Sequence, residues 1–339
     1  MRCFNLFAAG GCALALAACS GGEPPEEASG SASPDAAGSE QGWATRSGEA
    51  PLVIAHRGAS GLLPEHTIEA YRRAIRMGAD VIEPDLVMTS DGVLVARHDR
   101  YLSTTTNVSD RPEFADRRRE FDGRSDWWVE DFTFAELRTL RARQPFPGRS
   151  DRFDDEFLIP NFGQVLDLAE EAGVAVEPEV KSPGHLTSIG LDPLPELVRI
   201  LRARQLDSAT APIAVQSFEP DFLARLNVEV ETRLLMLVFE TATGAPSVSF
   251  EEMAGFADGV GPQKTLAVDE DGADTGYIAE AHARGLDVHP WTFRDDQAAP
   301  DGVDIEQELR RIYALGADGV FTDFPDTALR VRAEMEEEF

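Results

Sequence analysis

The sequence predicts an α/β fold, and three observations favour a single parallel sheet closed into a (β/α)8 barrel. Short apolar strands alternate with amphipathic helices through most of the 339 residues, and such alternation produces parallel strands with right-handed crossovers. The length of about 290 residues that follows the first 50 suits one barrel domain. Polar and charged residues directly follow several of the apolar strands, where barrel proteins carry their functional loops.

The composition narrows the class of function. The chain has 61 acidic and 31 basic residues, which gives a formal net charge of −30. Such a surface repels phosphate backbones and excludes non-specific nucleic-acid binding, whereas it attracts divalent cations. Hydrophobic residues make up 42% of the chain and charged residues 27%, an ordinary balance for a globular protein.

The first residues are typical of an export signal. Residues 1–18 carry one positive charge, an apolar run too short to span a bilayer, and small residues before Cys19. The stretch Leu16-Ala-Ala-Cys19 resembles a bacterial lipobox, in which cleavage leaves a lipidated Cys19 as the first residue. The alternative is an ordinary secretory signal that ends in small residues. Ser20 is not the Asp associated with inner-membrane retention, so the resemblance implies a cell-envelope lipoprotein sorted to the outer membrane and facing the periplasm.

The segment after the signal predicts a tether. Residues 19–50 consist largely of Gly, Ser, Glu, Pro and Ala, with almost nothing to bury, so we expect a flexible linker between the lipidated Cys19 and a domain of residues 51–339. Cys3 and Cys12 lie in the removed signal. The mature chain therefore lacks the cysteines for a disulfide, a cysteine metal site or a cysteine nucleophile.

The periodicity of apolar residues predicts the first strand and helix of the domain. Residues 51–55 form a short apolar strand, and residues 67–77 place their apolar side chains on one helical face before Gly78 ends the helix. The strands 80–88 and 93–99 are separated only by the turn 89–92. This separation is too short for a crossover helix, so the two strands are predicted to pair as a hairpin.

A long irregular stretch follows at residues 100–157. Only residues 133–143 have a clear helical pattern, and a loop of this size in a compact domain is more often functional than incidental. We interpret it as an insertion over the active-site mouth. Its Trp127, Trp128 and Phe132 either cover the site or anchor the loop.

The alternation of helices and strands then resumes to the end of the chain. The predicted helices are 161–172, 194–204, 220–226, 250–256, 275–284, 305–315 and one from 325; the predicted strands are 174–181, 213–218, 233–239, 259–261, 286–293 and 319–321. This makes nine candidate strands for eight barrel positions. The strand that begins at Val93 is therefore either an extra hairpin arm or one of the eight.

Charged side chains collect at the carboxyl ends of these strands. Alternation places Glu83 and Asp85 on one strand face, and it does the same for Glu177, Glu179 and Lys181. Hard divalent ions such as Ca²⁺ or Mg²⁺ prefer such oxygen ligands, and no cysteine or close histidine pair argues for Zn²⁺. A lone Glu-x-Asp is also common on solvated strands.

The histidines fall into two groups. His56, which is followed by Arg57, and His98, which is followed by Asp99, each end an apolar strand beside a charged partner. No role is assigned to the remaining strand and helix histidines. Glu177 as a surface residue, Gln216 as a core hydrogen-bonding residue and Trp291 as a packing residue are the plain alternatives to functional roles.

These stretches together resemble the glycerophosphodiester phosphodiesterase family, and its periplasmic branch most closely. The resemblance covers almost all of residues 51–330, although many members have Asn where this chain has His66. The matching stretches are His56-Arg-Gly-Ala-Ser-Gly61, Pro64-Glu-His-Thr67, Glu83-Pro-Asp-Leu-Val-Met-Thr89, His98-Asp99, Asp131-Phe-Thr133, Pro178-Glu-Val-Lys181, Gln216-Ser-Phe218, His289-Pro-Trp-Thr-Phe-Arg294 and Gly316-Ala-Asp-Gly-Val-Phe-Thr-Asp-Phe-Pro325.

The resemblance implies a TIM barrel that hydrolyses glycerophosphodiesters to glycerol 3-phosphate and an alcohol. By the same resemblance, each site residue has an expected role. His56 and His98 would be the acid and base, and Glu83, Asp85 and Glu179 would bind one divalent cation, most often Ca²⁺. Arg57 and Lys181 would bind the phosphate. Trp291 would pack against glycerol, and Glu65 would support the site from behind.

Elementary chemistry agrees with these roles. A phosphodiester needs its nonbridging oxygens neutralised, its attacking oxygen deprotonated and its leaving oxygen protonated. Two imidazoles can share the two proton transfers near neutral pH. The attacking oxygen is either a substrate hydroxyl or water.

Two other functions fit parts of the sequence. One is a related phospholipase D-like lyase that acts on lysophospholipid or sphingolipid diesters, suggested by the shared His, Glu-x-Asp and Glu-x-Lys elements and by the membrane anchor. The other is a non-catalytic lipoprotein that binds phosphodiesters. A binder has no need for a paired acid and base, which disfavours it.

Overall fold

The computed structural model describes residues 42–339, in which short strands buried on both faces alternate with helices that have one apolar face. The strands are β1 (Leu52–His56), β2 (Val81–Glu83), β3 (Asp85–Met88), β4 (Leu94–Ala96), β5 (Arg119–Phe121), β6 (Arg124–Asp126), β7 (Ala175–Val176), β8 (Glu179–Val180), β9 (Ala214–Ser217), β10 (Arg233–Val238), β11 (Gly259–Pro262), β12 (Asp287–Val288) and β13 (Gly319–Thr322).

Helices connect these strands on the outside. They are α1 (Ile68–Met77), α2 (Phe134–Leu137), α3 (Phe162–Ala172), α4 (Pro183–Ser188), α5 (Leu194–Ala203), α6 (Pro220–Glu229), α7 (Phe250–Met253), α8 (Lys264–Ala267), α9 (Tyr277–Ala283), α10 (Ile305–Ala314) and α11 (Pro325–Glu337), with 3₁₀ helices at Val108–Asp110, Pro112–Arg117 and Val129–Asp131. Of these helices in residues 42–339, none combines the length and apolar character needed to cross a bilayer.

The sheet closes into a barrel. One parallel run has the order β13, β1, β2, β7, and the other runs from β12 through β11, β10, β9 and β8 to β3. Parallel bridges between Val176 and Ile213 and between Phe293 and Thr322 join the two runs at both edges. The predicted (β/α)8 TIM barrel is confirmed.

Two prolines divide barrel strands into halves. Pro84 separates β2 from β3, and Pro178 separates β7 from β8, because proline has no N–H to donate to the sheet. The second barrel strand is therefore β2 with β3, and the third is β7 with β8. The antiparallel pairing of β4 with β3 makes β4 the extra hairpin arm, which resolves the nine candidate strands.

The register brings the ends of neighbouring strands together. His56 lies opposite Glu83, and Asp85 lies opposite Glu179. Glu179 in turn lies opposite Gln216. Residues distant in sequence thus share one edge of the barrel, at the carboxyl ends of the first four strands.

The insertion at residues 100–157 packs as a unit beside β3 and β4. Its apolar side chains form a cluster with Val87 and Val95, and Trp127 and Trp128 are buried within the insertion, where they anchor it. The predicted helix 133–143 is wrong beyond Leu137, since only Phe134–Leu137 is helical. The chain leaves the helix because later amides pair with residues 105–107, for example Arg141 N with the Asn107 side chain at 2.9 Å.

The domain begins before residue 51. Trp43 packs edge-on against Tyr313 and Phe339, with ring centroids 6.0 and 4.9 Å apart, and Arg46 pairs with Asp287. The expected tether therefore does not extend through residues 43–50, because an aromatic side chain in this stretch finds apolar partners on the barrel. The predicted signal peptide of residues 1–18 and the lipidated Cys19 lie outside the described residues.

Candidate active site

A tight turn after β1 positions the first catalytic candidates. Arg57 and Gly58 both have left-handed backbone conformations, with φ of 59° and 84°. A Cβ atom on Gly58 would lie 2.6 Å from the carbonyl carbon of Ala70, so the turn packs directly against α1 and requires glycine. The Arg57 N–H donates to the Glu83 carboxylate at 2.9 Å, which ties the turn to β2.

His56 is held by Asp323, which directly follows β13, the strand paired with β1. Its Nδ1 lies 2.6 Å from Asp323 Oδ1, at the end of β13. This bond occupies Nδ1 and leaves Nε2 as the nitrogen that can act in the pocket. Burial, and then the nearby Arg57, lower the pKa of His56 to about 4 despite Asp323, so the imidazole is neutral at neutral pH.

His98 has a parallel arrangement on the other side of the pocket. Its Nδ1 lies 2.8 Å from Asp99 Oδ1. Burial lowers the pKa of His98, and the positive charges of Arg57 and Lys181 lower it further. Both histidines therefore offer a neutral ring with one nitrogen fixed by a carboxylate.

Three carboxylates lie together on the second and third barrel strands. Ligand oxygens of Glu83, Asp85 and Glu179 lie within 4.8 Å of one another, and all three side chains are buried. Lys181 Nζ lies 2.8 Å from Glu179 and 3.9 Å from Asp85, and Arg57 Nε lies 3.1 Å from Asp85. Register places these side chains together, since Asp85 and Glu179 are paired residues of adjacent strands.

The charges of this cluster fit a divalent cation. Burial raises the pKa of Glu179 to about 8, and burial together with the nearby Asp85 raises the pKa of Glu83 well above its ordinary value. The pKa values stay raised although Lys181 lies beside Glu179 and Arg57 beside Glu83, so these two side chains do not fully offset burial, and a further positive charge would stabilise the ionised carboxylates. An all-oxygen set of three carboxylates suits Ca²⁺ or Mg²⁺ and does not suit a soft metal ion.

A buried histidine that the sequence did not assign to the site orients one of these carboxylates. His66 Nε2 lies 2.9 Å from Asp85 Oδ2, and its Nδ1 lies 2.7 Å from the Tyr71 hydroxyl. His66 is 1% exposed. The only signal in the sequence was its place in the Pro-Glu-His-Thr stretch, because no spacing rule connects residue 66 with residue 85.

Glu65 lies behind Arg57. Its Oε2 accepts a hydrogen bond from Arg57 Nη1 at 3.0 Å, and its side chain is buried. Arg57 is thus held between Glu65 and Asp85, with its guanidinium at the pocket wall.

These groups surround a pocket of about 300 Å³. The predicted residues that line it are His56, Arg57, Glu83, His98, Glu179, Lys181 and Trp291. Trp291 packs edge-on against Phe218, with ring centroids 5.6 Å apart, and its indole N–H donates to the Gly261 carbonyl at 2.8 Å. None of residues 100–157, all of them described, contributes a side chain to the lining of this pocket.

Several lining residues were missed by sequence reasoning. They lie in or after later barrel strands, namely Phe218, Leu237, Gln263, Lys264, Thr265, Thr292, Arg294, Gln297 and Phe321. Gln216, which the sequence left open between a core and a functional role, also lines the pocket. Their common signal is a position at the carboxyl end of a strand. Residue type alone does not distinguish them from ordinary loop residues.

A second buried pair lies in the barrel. His289 Nδ1 lies 3.1 Å from both carboxylate oxygens of Glu177, and both residues are almost fully buried. Burial disfavours the imidazolium, but Glu177 outweighs this effect and raises the pKa of His289. Glu177 is thus an interior residue and not a surface one, and His289 is its partner.

Comparison with known proteins finds relatives that match most of the chain. A glycerophosphodiester phosphodiesterase of Arabidopsis thaliana is 31% identical over 81% of this chain and 84% of that protein, and one of Haemophilus influenzae is 30% identical over 82% and 88%. The structure of an Oleispira antarctica phosphodiesterase in complex with the product sn-glycerol-3-phosphate matches with a TM-score of 0.64, at 22% identity over 85% of this chain and 98% of that one. The Glycerophosphoryl diester phosphodiesterase family matches residues 56–327, and the chain therefore belongs to this family.

Proposed function

We propose that the protein hydrolyses glycerophosphodiesters to glycerol 3-phosphate and an alcohol, with His56 and His98 as acid and base and one divalent cation, preferably Ca²⁺, at the carboxylate cluster. The observation that carries the proposal is the meeting of two neutral histidines, three carboxylates and two cations at one pocket. Family membership supports the same activity.

The roles follow from chemistry. One neutral imidazole accepts at Nε2 the proton of the attacking oxygen. The other acts as the acid after its Nε2 has taken a proton from solvent, and as the imidazolium it donates that proton to the oxygen of the departing alcohol. Asp323 and Asp99 hold the Nδ1 atoms and so direct each Nε2 to the pocket. A cation held by Glu83, Asp85 and Glu179 would supply positive charge to the phosphate oxygens.

Arg57 and Lys181 supply the fixed positive charge. Arg57 is kept in place by Glu65 and Asp85, and Lys181 by Glu179, so neither side chain must reorganise when charge develops on the phosphate. Trp291 and Phe218 offer an apolar wall on which the carbon chain of glycerol can pack.

The direct test is turnover of glycerophosphocholine by a chain that begins at residue 42, measured as released glycerol 3-phosphate. Chelation should abolish release and added Ca²⁺ should restore it, with Mg²⁺ compared at the same concentration.

His56→Ala should lower kcat for glycerophosphocholine by several orders of magnitude. His282→Ala is the matched control, because His282 pairs with Asp318 away from the pocket lining and should retain activity. Full activity in the His56 variant would contradict the catalytic assignment.

A second substrate class is favoured by one feature of the pocket rim. Phe239 is 45% exposed and its ring lies 6.2 Å from that of Phe218, so an apolar surface extends outward from the pocket. An acyl chain of a lysophospholipid could lie along it, as a phospholipase D-like activity would require. Comparing turnover of acylated and deacylated diesters distinguishes the two substrate classes. Binding of either diester without turnover would instead support the non-catalytic alternative.

The proposed location is the cell envelope, with the protein anchored by a lipid on Cys19 at the outer membrane and facing the periplasm. The lipobox-like residues 16–19 and Ser20 support this proposal, as does the Pro-Glu-His-Thr stretch that resembles the periplasmic branch. Cys19→Ser should abolish incorporation of labelled palmitate and release the protein from the membrane fraction. Unchanged labelling in that variant would contradict the anchor.

A further inference from the structure

One arm of the insertion, residues 144–149, contacts the barrel loop that follows β1. Gln144 Nε2 donates to the Ser60 carbonyl at 3.0 Å, in the loop that follows β1. The Arg149 guanidinium lies over the ring of Phe146 at 4.1 Å and over that of Phe324 at 5.3 Å. The Arg149 side chain is only 2% exposed, so its position is fixed by packing on both faces.

Arg149 connects two aspartates at the carboxyl end of the barrel. Its Nε and Nη2 donate to the two carboxylate oxygens of Asp296 at 2.7 and 3.1 Å, and Nη2 also donates to Asp323 Oδ2 at 2.7 Å. The other oxygen of Asp323 binds His56 Nδ1 at 2.6 Å. A continuous chain of hydrogen bonds thus runs from Asp296 through Arg149 and Asp323 to His56.

We propose that Arg149 is a positioning residue for His56, acting through Asp323. This inference rests on the catalytic role proposed above for His56. By fixing Oδ2, Arg149 turns the carboxylate so that Oδ1 faces Nδ1 of the imidazole. The ring is then held in the tautomer whose Nε2 serves the pocket, as outer hydrogen-bond partners do for other histidines at functional sites.

Arg294 also donates to Asp323 Oδ2, at 2.7 Å, but the two arginines differ in their relation to the pocket. Arg294 lines the pocket, and its loss would alter substrate contacts as well as the aspartate. Arg149 does not line the pocket, although it donates to the same oxygen of Asp323. The insertion therefore supports the acid–base pair from behind the pocket wall.

A purely structural role for Arg149 is the competing explanation, and Arg149→Met addresses it. Methionine keeps an unbranched stem between Phe146 and Phe324 but has no N–H to donate. We expect kcat for glycerophosphocholine to fall by about 10- to 100-fold with KM changed less than threefold, which is the range seen when an outer partner of a functional histidine is lost. Arg149→Lys should recover part of kcat, because one donor returns.

Arg143→Met is the matched control. Arg143 belongs to the same insertion and pairs with Asp110 and Asp155, so its loss weakens the insertion without touching Asp323. We expect kcat within twofold of the parent chain. An equal loss of kcat in the Arg143 variant would show that a loosened insertion is sufficient, and would overturn the proposal.

The ¹H NMR signal of His56 Nδ1–H gives a readout that does not depend on turnover. A proton in a 2.6 Å bond to a carboxylate resonates far downfield. This signal should move upfield or broaden in Arg149→Met and stay unchanged in Arg143→Met.

Failure of the parent chain to cleave the diester would count against the proposed function alone. An unchanged signal in the folded Arg149 variant overturns the inference. If that variant does not fold, Asp296→Ala, which removes the bidentate partner of Arg149, must shift the same signal.

Discussion

At the scale of single residues, the two histidines and Arg57 at the pocket are each held by a carboxylate. Asp323 and Asp99 hold the two histidines, and Glu65 holds Arg57. Hydrogen bonds to charged groups are stronger than those between neutral groups, and burial makes an unpaired partner costly. The geometry of the pocket is therefore as sensitive to these outer residues as to the lining residues themselves.

Cation binding should depend on pH because of Glu179. Its pKa, raised to about 8 by burial, means that the metal-free carboxyl is mostly protonated at pH 6.5, and a cation must displace that proton. Ca²⁺ affinity should therefore rise with pH by up to about tenfold per unit below pH 8 and level off above it. Isothermal titration calorimetry in two buffers of different ionisation enthalpy measures the released proton. A Ca²⁺ affinity that does not change between pH 6 and pH 8 would contradict the expectation.

His66 should tune the same cation site. His66→Ala removes a 2.9 Å hydrogen bond from Asp85 and leaves that carboxylate free to turn, so Ca²⁺ affinity should fall about 10- to 100-fold. His66→Asn is the comparison, since an amide can still donate and should lose less. Calorimetric titration of both variants checks the order. Equal affinity in the alanine variant and the parent chain would show that His66 does not position Asp85.

At the scale of elements, the carboxyl ends of the strands are shaped by residues that interrupt regular structure. Pro84 and Pro178 divide two barrel strands beside the carboxylates, and Gly58 turns the chain at the end of β1. Regular strands would continue to alternate side chains between the two faces of the sheet. The same alternation holds across Pro84, since Glu83 and Asp85 lie on one face, where strand register brings Glu179 beside them.

Substitution of Gly58 should therefore damage the β1–α1 connection. Gly58→Ala introduces a Cβ 2.6 Å from Ala70 at a φ of 84°, which we expect to lower the free energy of unfolding by about 1–3 kcal/mol or more. Urea unfolding measures the loss. Gly255→Ala is the control, because a Cβ there meets nothing within 4 Å, and its unfolding free energy should be nearly unchanged. Equal stability of the two variants would contradict the packing argument.

At the scale of the whole molecule, residues 43–50, which precede the first strand, pack against elements from the end of the chain. Trp43 lies against α10 through Tyr313 and against the last residue, Phe339. Arg46 pairs with Asp287 at the start of β12. Residues 43–50 therefore hold the final helices in place.

A chain that starts at residue 51 should be less stable than one that starts at residue 42. Loss of the Trp43 contacts exposes apolar surface worth about 2–3 kcal/mol, which corresponds to a fall in Tm of roughly 3–5 °C for a domain of this size. Glycerol 3-phosphate release at 25 °C should be the same for both chains, because the lost contacts are far from the pocket lining. Differential scanning calorimetry tests the difference, and identical Tm values would contradict it.

The sequence by itself determined the class of fold, the order of elements and the main groups of the pocket. Apolar periodicity marks strands and helices because burial depends on which face a side chain occupies, and strand ends in a parallel barrel meet at one edge. His56, Glu83, Asp85, His98 and Glu179 could be named for that reason. The predicted hairpin at residues 80–99 was also correct, since its short turn is a local property.

Only the tertiary structure decided which distant residues support these groups. His66 behind Asp85, and Asp323 with Arg149 behind His56, are brought together by strand register and by the packing of the insertion. The same holds for Trp43, which looked like part of a tether, and for the short helix α2, whose following amides pair with another segment. Contacts between residues far apart in the chain leave no periodic trace in the sequence, because they depend on how complete elements pack against one another.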